Sequence, residues 1–259
     1  MDALISPTYI ISEPTPDPRS TEQHNDLASL MRRAGAHVID VPLVPHGHDS
    51  VFIKDSAVLA TKLGKSFAFG ANPTYADRRA EQEHRFAAFR NLGIEVVDVA
   101  KERFEGGDFV KLPDNHSALM GYGLRSDRAS ASQLAQCLGL TITPLELRDR
   151  ELFHLDLVIS ALSDGTLFAC REGLTDDAWK TLNGLSCFDK VVPITYEEAL
   201  DFALNWVEIN NKIILGRKVP RLFSILESLG HEVLVTRLEQ FHRLNGGAAC
   251  LVNKIHQLT

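Results

Sequence analysis

Stretches with apolar residues at helical spacing alternate along this chain with short β-rich runs, and the alternation repeats. Helical periodicity marks Thr21–Arg33, Arg78–Asn91, Ala129–Leu138, Asp176–Leu185 and Pro220–Leu229. Four of the five are soon followed by a glycine suited to a helix C-terminus. Strand patterning predicts Val51–Leu59, Ser66–Gly70, Phe109–Leu112 with Ala118–Tyr122, Leu157–Leu162 with Leu167–Cys170, Trp206–Ile209 with Lys212–Leu215, and Ala249–Val252. Pro113-Asp114-Asn115, Ser163-Asp164-Gly165 and Asn210-Asn211 are turn signals that fold three of these into hairpins.

The helix-to-strand junctions resemble one another. Ala34-Gly35-Ala36-His37-Val38-Ile39-Asp40 has counterparts at Leu92–Asp98, Leu138–Thr143 and Leu229–Val235, and Phe188–Ile194 is a degenerate copy without the glycine. Five units at spacings of roughly 40 to 60 residues indicate a repeat architecture. A hairpin, a helix and a further strand cannot bury an apolar face alone, so the units must pack on one another. Set about a pseudo-fivefold axis, they would bring residues from distant parts of the chain to one central cavity. The Pro-rich stretch Glu13–Arg19 reads as an extended loop and a mobile lid over that arrangement.

A chain of 259 residues with 44% hydrophobic and 24% charged positions can hold a substantial core in a single domain over 1–259. The net charge of −7 argues against a nucleic-acid partner and for a compact small-molecule ligand. Met1–Ile11 lacks a basic residue and is interrupted by Pro7, so no signal peptide is expected, and no apolar run is long enough for a membrane span. Cys137, Cys170, Cys187 and Cys250 lack CxxC spacing, which points to reduced thiols in a cytoplasmic protein. A homo-oligomer stays open. No metal or other cofactor is expected: the two histidines of His46-Gly47-His48-Asp49 lack the further ligands a zinc site needs.

The candidate chemistry sits at comparable places in the units: Asp55 in Phe52-Ile53-Lys54-Asp55, Glu105 and Asp108 in Glu105-Gly106-Gly107-Asp108, His154 and Asp156 in Phe153-His154-Leu155-Asp156, and Cys250 behind Gly246-Gly247-Ala248-Ala249. A cysteine nucleophile needs a base to form its thiolate; His154 can move a proton near neutral pH and Glu105 could orient it. A strand start at His154 would put Asp156 on the same face. Asp55 and Asp156 facing one pocket call for a cation, and a planar guanidinium can give each carboxylate two parallel N–H bonds. Cys250 would then add to the guanidinium carbon, His154 would protonate the departing amine, and water would resolve the thiouronium intermediate.

These four ordered motifs resemble the guanidino-group modifying superfamily of arginine deiminases, amidinotransferases and dimethylargininases, over essentially the whole chain. The resemblance implies a five-bladed α/β propeller, the pentein fold, and a triad of Cys250, His154 and Glu105. It further implies that Asp55 and Asp156 hold the guanidinium and that Asp108 supports the site. Chain length and spacing are most similar to dimethylargininases. Arg78-Arg79-Ala80-Glu81 and Gly123-Leu124-Arg125-Ser126-Asp127 resemble that group's arginine segments, which implies that Arg79 and Arg125 grip a substrate α-carboxylate. Two positions depart from the dimethylargininase pattern: Asp156 after the histidine, and Lys54 where an acid or arginine often precedes the aspartate. A second aspartate favours a guanidinium with free N–H groups.

The expected activity is therefore hydrolysis of arginine, a methylated arginine or another guanidino compound to a ureido product such as citrulline, with ammonia or a methylamine released. An amidinotransferase, with an amine in place of water, is the second enzyme reading. A non-catalytic binding propeller is the third.

Overall fold

The structure, a computed structural model, describes residues 6–258. Met1–Ile5, part of the segment read for a targeting signal, lies outside the described residues. The fold is mixed α/β and opens with β1 (Thr8–Ser12), α1 (Pro18–Arg33) and β2 (His37–Val41). Next come β3 (Ala57–Lys62), β4 (Lys65–Gly70), α2 (Ala76–Asn91) and β5 (Glu95–Val99), then β6 (Phe109–Lys111), β7 (Ser117–Tyr122), α3 (Ser130–Leu138) and β8 (Thr141–Glu146). β9 (Ile159–Ala161), β10 (Thr166–Ala169), α4 (Asp176–Asn183) and β11 (Lys190–Pro193) follow, with a short α5 (Tyr196–Leu200). The chain continues through β12 (Val207–Ile209), β13 (Lys212–Leu215), α6 (Pro220–Ser228), β14 (Glu232–Val235), a short α7 (Glu239–His242) and β15 (Val252–Leu258).

Strand pairing has one grammar throughout. An antiparallel pair is followed by a helix and a strand that returns parallel to the second member, as in β3-β4-β5, β6-β7-β8, β9-β10-β11 and β12-β13-β14. β15 makes the antiparallel pair with β1, which pairs in parallel with β2, and so supplies the first strand of a fifth unit. β15 also pairs in parallel with β3, which fuses two units into one six-stranded sheet. A helix between parallel strands is the crossover that such pairing requires.

Helix ends follow the predicted glycines. Gly139 caps α3 in the left-handed region at φ 70°, a conformation that costs glycine no Cβ clash. Asp17 starts α1 by accepting from the Ser20 N–H at 2.8 Å, and Pro18 stands in its first turn, where no N–H is needed. Apolar faces are buried between units as well as within them. Val58 and Phe69 of the β3-β4-β5 unit pack in one cluster with Phe109 and Met120 of the next and with Leu134 and Leu138 of α3.

Three sequence expectations are corrected. Val51–Ser56 is not strand: it forms two 3-10 turns, His48–Val51 and Ile53–Ser56, and β3 starts at Ala57. The Ser56 hydroxyl donates to the Ile53 carbonyl at 2.6 Å, a local bond that competes with sheet pairing. Likewise Leu155–Leu157 is a 3-10 turn, and Cys250 lies in a turn ahead of β15, not in a strand over Ala249–Val252. The Glu13–Arg19 segment ends in the first turn of α1, and the Glu13 N–H donates to the Val41 carbonyl at 2.8 Å. None of its residues lines the cavity that holds Cys250.

Among the described residues, no helix is long and apolar enough to cross a membrane. All four cysteines are free.

Candidate active site

Each unit presents a tight turn just before its first strand, and those turns carry several of the candidate residues. Asp55 lies in the 3-10 turn before β3, Asp108 in the one before β6 and Asp156 in the one before β9, while the Cys250 turn precedes β15. A 3-10 turn projects its side chains round a tight spiral, so adjacent residues reach different surroundings. Asp55 and Cys250 line one cavity of about 80 Å3, together with His154, Arg78, Arg125, Tyr75 and Phe153.

His154 is held between two carboxylates. Its Nε2 is 2.8 Å from Oε2 of Glu105, and its Nδ1 is 3.6 Å from Oδ1 of Asp55. Burial works against the charged imidazole, but Asp55, Glu105 and Asp108 outweigh it and raise the histidine to about 9. Glu105 is fixed in turn: Oε1 accepts from the Thr74 N–H at 2.8 Å, and Oε2 lies 3.4 Å from Arg125. Burial opposes its charge, yet the His154 bond and these partners hold its carboxyl well below the usual range.

Gly107 allows this closeness. A Cβ there would sit 2.6 Å from His154 Nδ1 and 2.9 Å from Asp55 Oδ1, where its N–H instead donates to Asp55 at 3.2 Å.

Cys250 is 5% exposed, and its sulfur lies 3.9 Å from Oδ2 of Asp156. Burial first, and the charges of Asp156 and Asp55 next, push the thiol well above its ordinary value, while Lys54 pulls it the other way. The Lys54 ammonium is 2.8 Å from the same Asp156 oxygen. Oδ1 of Asp156 is buried with no hydrogen-bond partner. Asp156 therefore borders the sulfur, but it is ion-paired and lines a second cavity behind the Cys250 turn.

The remaining predicted residues separate into two groups. Arg125 reaches the cavity, its guanidinium 4.6 Å from the Tyr75 ring centroid and 4.4 Å from that of Phe153. Arg79 does not: its side chain donates back to the Pro73 and Thr74 carbonyls at 2.8 and 2.7 Å, on the exposed side of α2. Arg78 occupies the inward position, bonded to the Asp49 and Phe52 carbonyls and 3.4 Å from Asp55. Asp108 is fully buried behind the cavity rather than on it. It accepts from Ser126 Oγ at 2.6 Å and the Leu155 N–H at 3.0 Å, which anchors the turn that begins at His154.

Asn205 was missed by sequence reasoning. Its Oδ1 accepts from the Cys250 N–H at 3.2 Å and its Nδ2 donates to the Asp156 carbonyl at 3.4 Å, so it ties the two turns together. The available signal was positional: Asn205 stands just before β12, where three other units carry their acidic residue. Asp55, Glu105 and His154 offer donor atoms within 4.8 Å of one another, as a metal site would. Those atoms already serve the imidazole, and Arg78 and Arg125 balance the carboxylates.

A family model described as N,N dimethylarginine dimethylhydrolase, eukaryotic, matches residues 10–256. The bifunctional arginine dihydrolase/ornithine cyclodeaminase AgrE of Nostoc sp. is 27% identical over 240 residues, covering 92% of this chain and 33% of that protein. The chain thus spans about a third of the length of this bifunctional relative. The N(G),N(G)-dimethylarginine dimethylaminohydrolase of Streptomyces coelicolor is 25% identical over 255 residues, covering 97% of this chain and 92% of its own. Among solved structures, the product-bound N-terminal domain of ArgZ, an arginine dihydrolase from cyanobacteria, superposes with a TM-score of 0.90 at 22% identity. That alignment covers 98% of this chain and all of the domain, and the likeness is one of fold.

Proposed function

Because the chain belongs to the N,N-dimethylarginine dimethylhydrolase family, we propose that it is a hydrolase of C–N bonds in guanidino compounds that works through Cys250. The observation that carries this reading is a single small cavity shared by a buried thiol, an imidazole locked onto a carboxylate, and a further carboxylate. Asp55 takes the guanidinium through paired N–H bonds, and the unpartnered Oδ1 of Asp156 supplies a further acceptor. Arg125, braced between two aromatic rings at the cavity, takes the substrate carboxylate.

At rest the thiol is protonated and His154 makes no bond to it. A bound guanidinium cancels the carboxylate charge that disfavours the thiolate, so substrate binding itself promotes the nucleophile. The S–H proton passes to solvent as the thiolate forms, and the sulfur attacks the guanidinium carbon. The bond to one nitrogen breaks, and that nitrogen leaves as ammonia or an amine with a proton from His154. A water then gives its proton to His154 and its oxygen to the same carbon. The C–S bond breaks, leaving a ureido product and free thiol. Glu105 keeps the imidazole oriented through both steps.

The five like units are read as the blades of one α/β propeller domain. The β15–β3 pairing supports this by joining units from opposite ends of the chain. With two carboxylates beside the sulfur, unsubstituted guanidinium groups are the favoured substrates, since each methyl group removes an N–H donor.

The test is a product assay of the purified protein against arginine, mono- and dimethylarginine, agmatine and simpler guanidino acids, scoring ureido product, ammonia and methylamines. Turnover lost in Cys250→Ser with retained ligand binding is expected. Turnover that survives in Cys250→Ser, or no turnover of any compound, overturns the proposal.

A further inference from the structure

A second cavity, of about 150 Å3, lies behind the turns that build the first and shares no lining residue with it. It is reached by the neighbours of the same residues, Lys54 beside Asp55 and Ala249 beside Cys250. It adjoins a second recess, with which it shares Lys111, Ala161, Glu208, Lys254 and His256.

Its wall carries one more cation than acid in a chain whose net charge is −7. Three lysines and a histidine face two acids, and both acids are engaged. Asp156 is paired with Lys54, while the Glu208 carboxylate accepts from the Ser163 hydroxyl at 2.6 Å and its N–H at 3.1 Å. Lys111 finds only neutral acceptors, Oδ1 of Asn115 at 2.9 Å and the Leu112 carbonyl at 3.3 Å. The Lys254 ammonium lies 5.9 Å from the Tyr9 ring centroid. Among the described residues, neither ammonium has a carboxylate within 4 Å.

His256 packs edge-on against Phe109 at 5.5 Å and makes no hydrogen bond to another described residue. Burial and the three ammoniums hold it far below its ordinary value, and burial depresses Lys111 and Lys254 as well. Glu208 and Asp114 act on Lys254 and Lys111 only from beyond ion-pair distance, so burying these cations is costly and an anion in the cavity would offset that cost. Phe109, Ile159, Trp206 and Val252 add an apolar stretch of wall that suits a short hydrocarbon body.

We propose that this second cavity is a binding site for a small carboxylate anion, held by the Lys254 and Lys111 ammoniums with an N–H of His256 as a further donor. Its three donors, Lys254, Lys111 and His256, are none of the residues assigned to the reaction at Cys250.

The test is an NMR titration of the full chain with succinate, and separately with inorganic phosphate, at ionic strength held constant with chloride. The His256 ring resonance, assigned with His256→Gln, is the readout. A saturable shift with succinate, stronger than with phosphate and weakened on the order of tenfold or more in Lys254→Met, is expected. Three results would overturn the site: no saturable shift in the unaltered chain, an undiminished response in Lys254→Met, or a preference for phosphate. Lys111→Met gives a second variant, and the unaltered chain decides the matter if neither variant folds.

Discussion

The Lys54 ammonium and the Cys250 sulfur share one neighbour, Oδ2 of Asp156, which lies 2.8 Å from the first and 3.9 Å from the second. Lys54 and Asp156 are the two positions at which the chain departs from the dimethylargininase pattern, and they are each other's partners. The lysine compensates the aspartate and lies close enough to the thiol to favour its ionised form. Lys54→Met is expected to move the pH midpoint of Cys250 alkylation by iodoacetamide upward by about one unit or more, with Lys54→Arg restoring it. Asp156→Asn should move the midpoint downward. An unchanged profile in both would separate the pair from the thiol.

Protonated His154 stabilises the fold through its carboxylate neighbours. Its pKa is raised from 6.5 to about 9, so that contribution is fully present below about pH 6.5 and is lost as pH rises through about 9. Urea unfolding of the unaltered chain should lose on the order of 1–3 kcal/mol over that window relative to His154→Gln. Parallel curves for the two proteins would refute the raised histidine.

Asn205 joins the Cys250 turn to the Asp156 turn by side-chain bonds at both ends. Asn205→Leu leaves the Cys250 N–H without that acceptor and should cost about 1–3 kcal/mol of stability. Since the amide places the proposed nucleophile and does not line its cavity, kcat should fall by roughly tenfold while KM stays within about twofold. A change confined to KM would place Asn205 in ligand binding instead.

Arg125 and Arg79 are expected to behave differently. Arg125→Ala should raise KM for arginine strongly and for agmatine, which lacks the α-carboxylate, only slightly. Arg79→Ala should leave KM for both within about twofold and stability within about 0.5 kcal/mol, as for a surface side chain. Equal losses for both compounds in Arg125→Ala would assign that residue to the Glu105 pair alone.

Helices, hairpins and helix-ending glycines were legible in the sequence because each has a local cause: an apolar stripe, an asparagine or glycine turn, a left-handed cap. The turns holding Asp55 and Asp156 were not, since a buried 3-10 turn and a buried strand are both short apolar runs. Motif matching pointed to Glu105, His154 and Cys250, yet it picked Arg79 where Arg78 is the residue that faces the cavity. Successive helical residues point about 100° apart, and only the tertiary surroundings decide which one turns inward. Asn205 was hidden for a similar reason: its bonds span 45 and 49 residues of sequence.

The register of β1 against β15 sets Tyr9 opposite Lys254. Few contacts in a chain of this size could be more distant in sequence, and distant pairings form late because the intervening chain must first be closed into a loop. The Cys250 turn runs directly into β15, so the thiol reaches its neighbours only when that strand docks between β1 and β3. Refolding should therefore show most of the helical signal recovering before catalytic competence, which would return with the slowest phase, the insertion of the last strand.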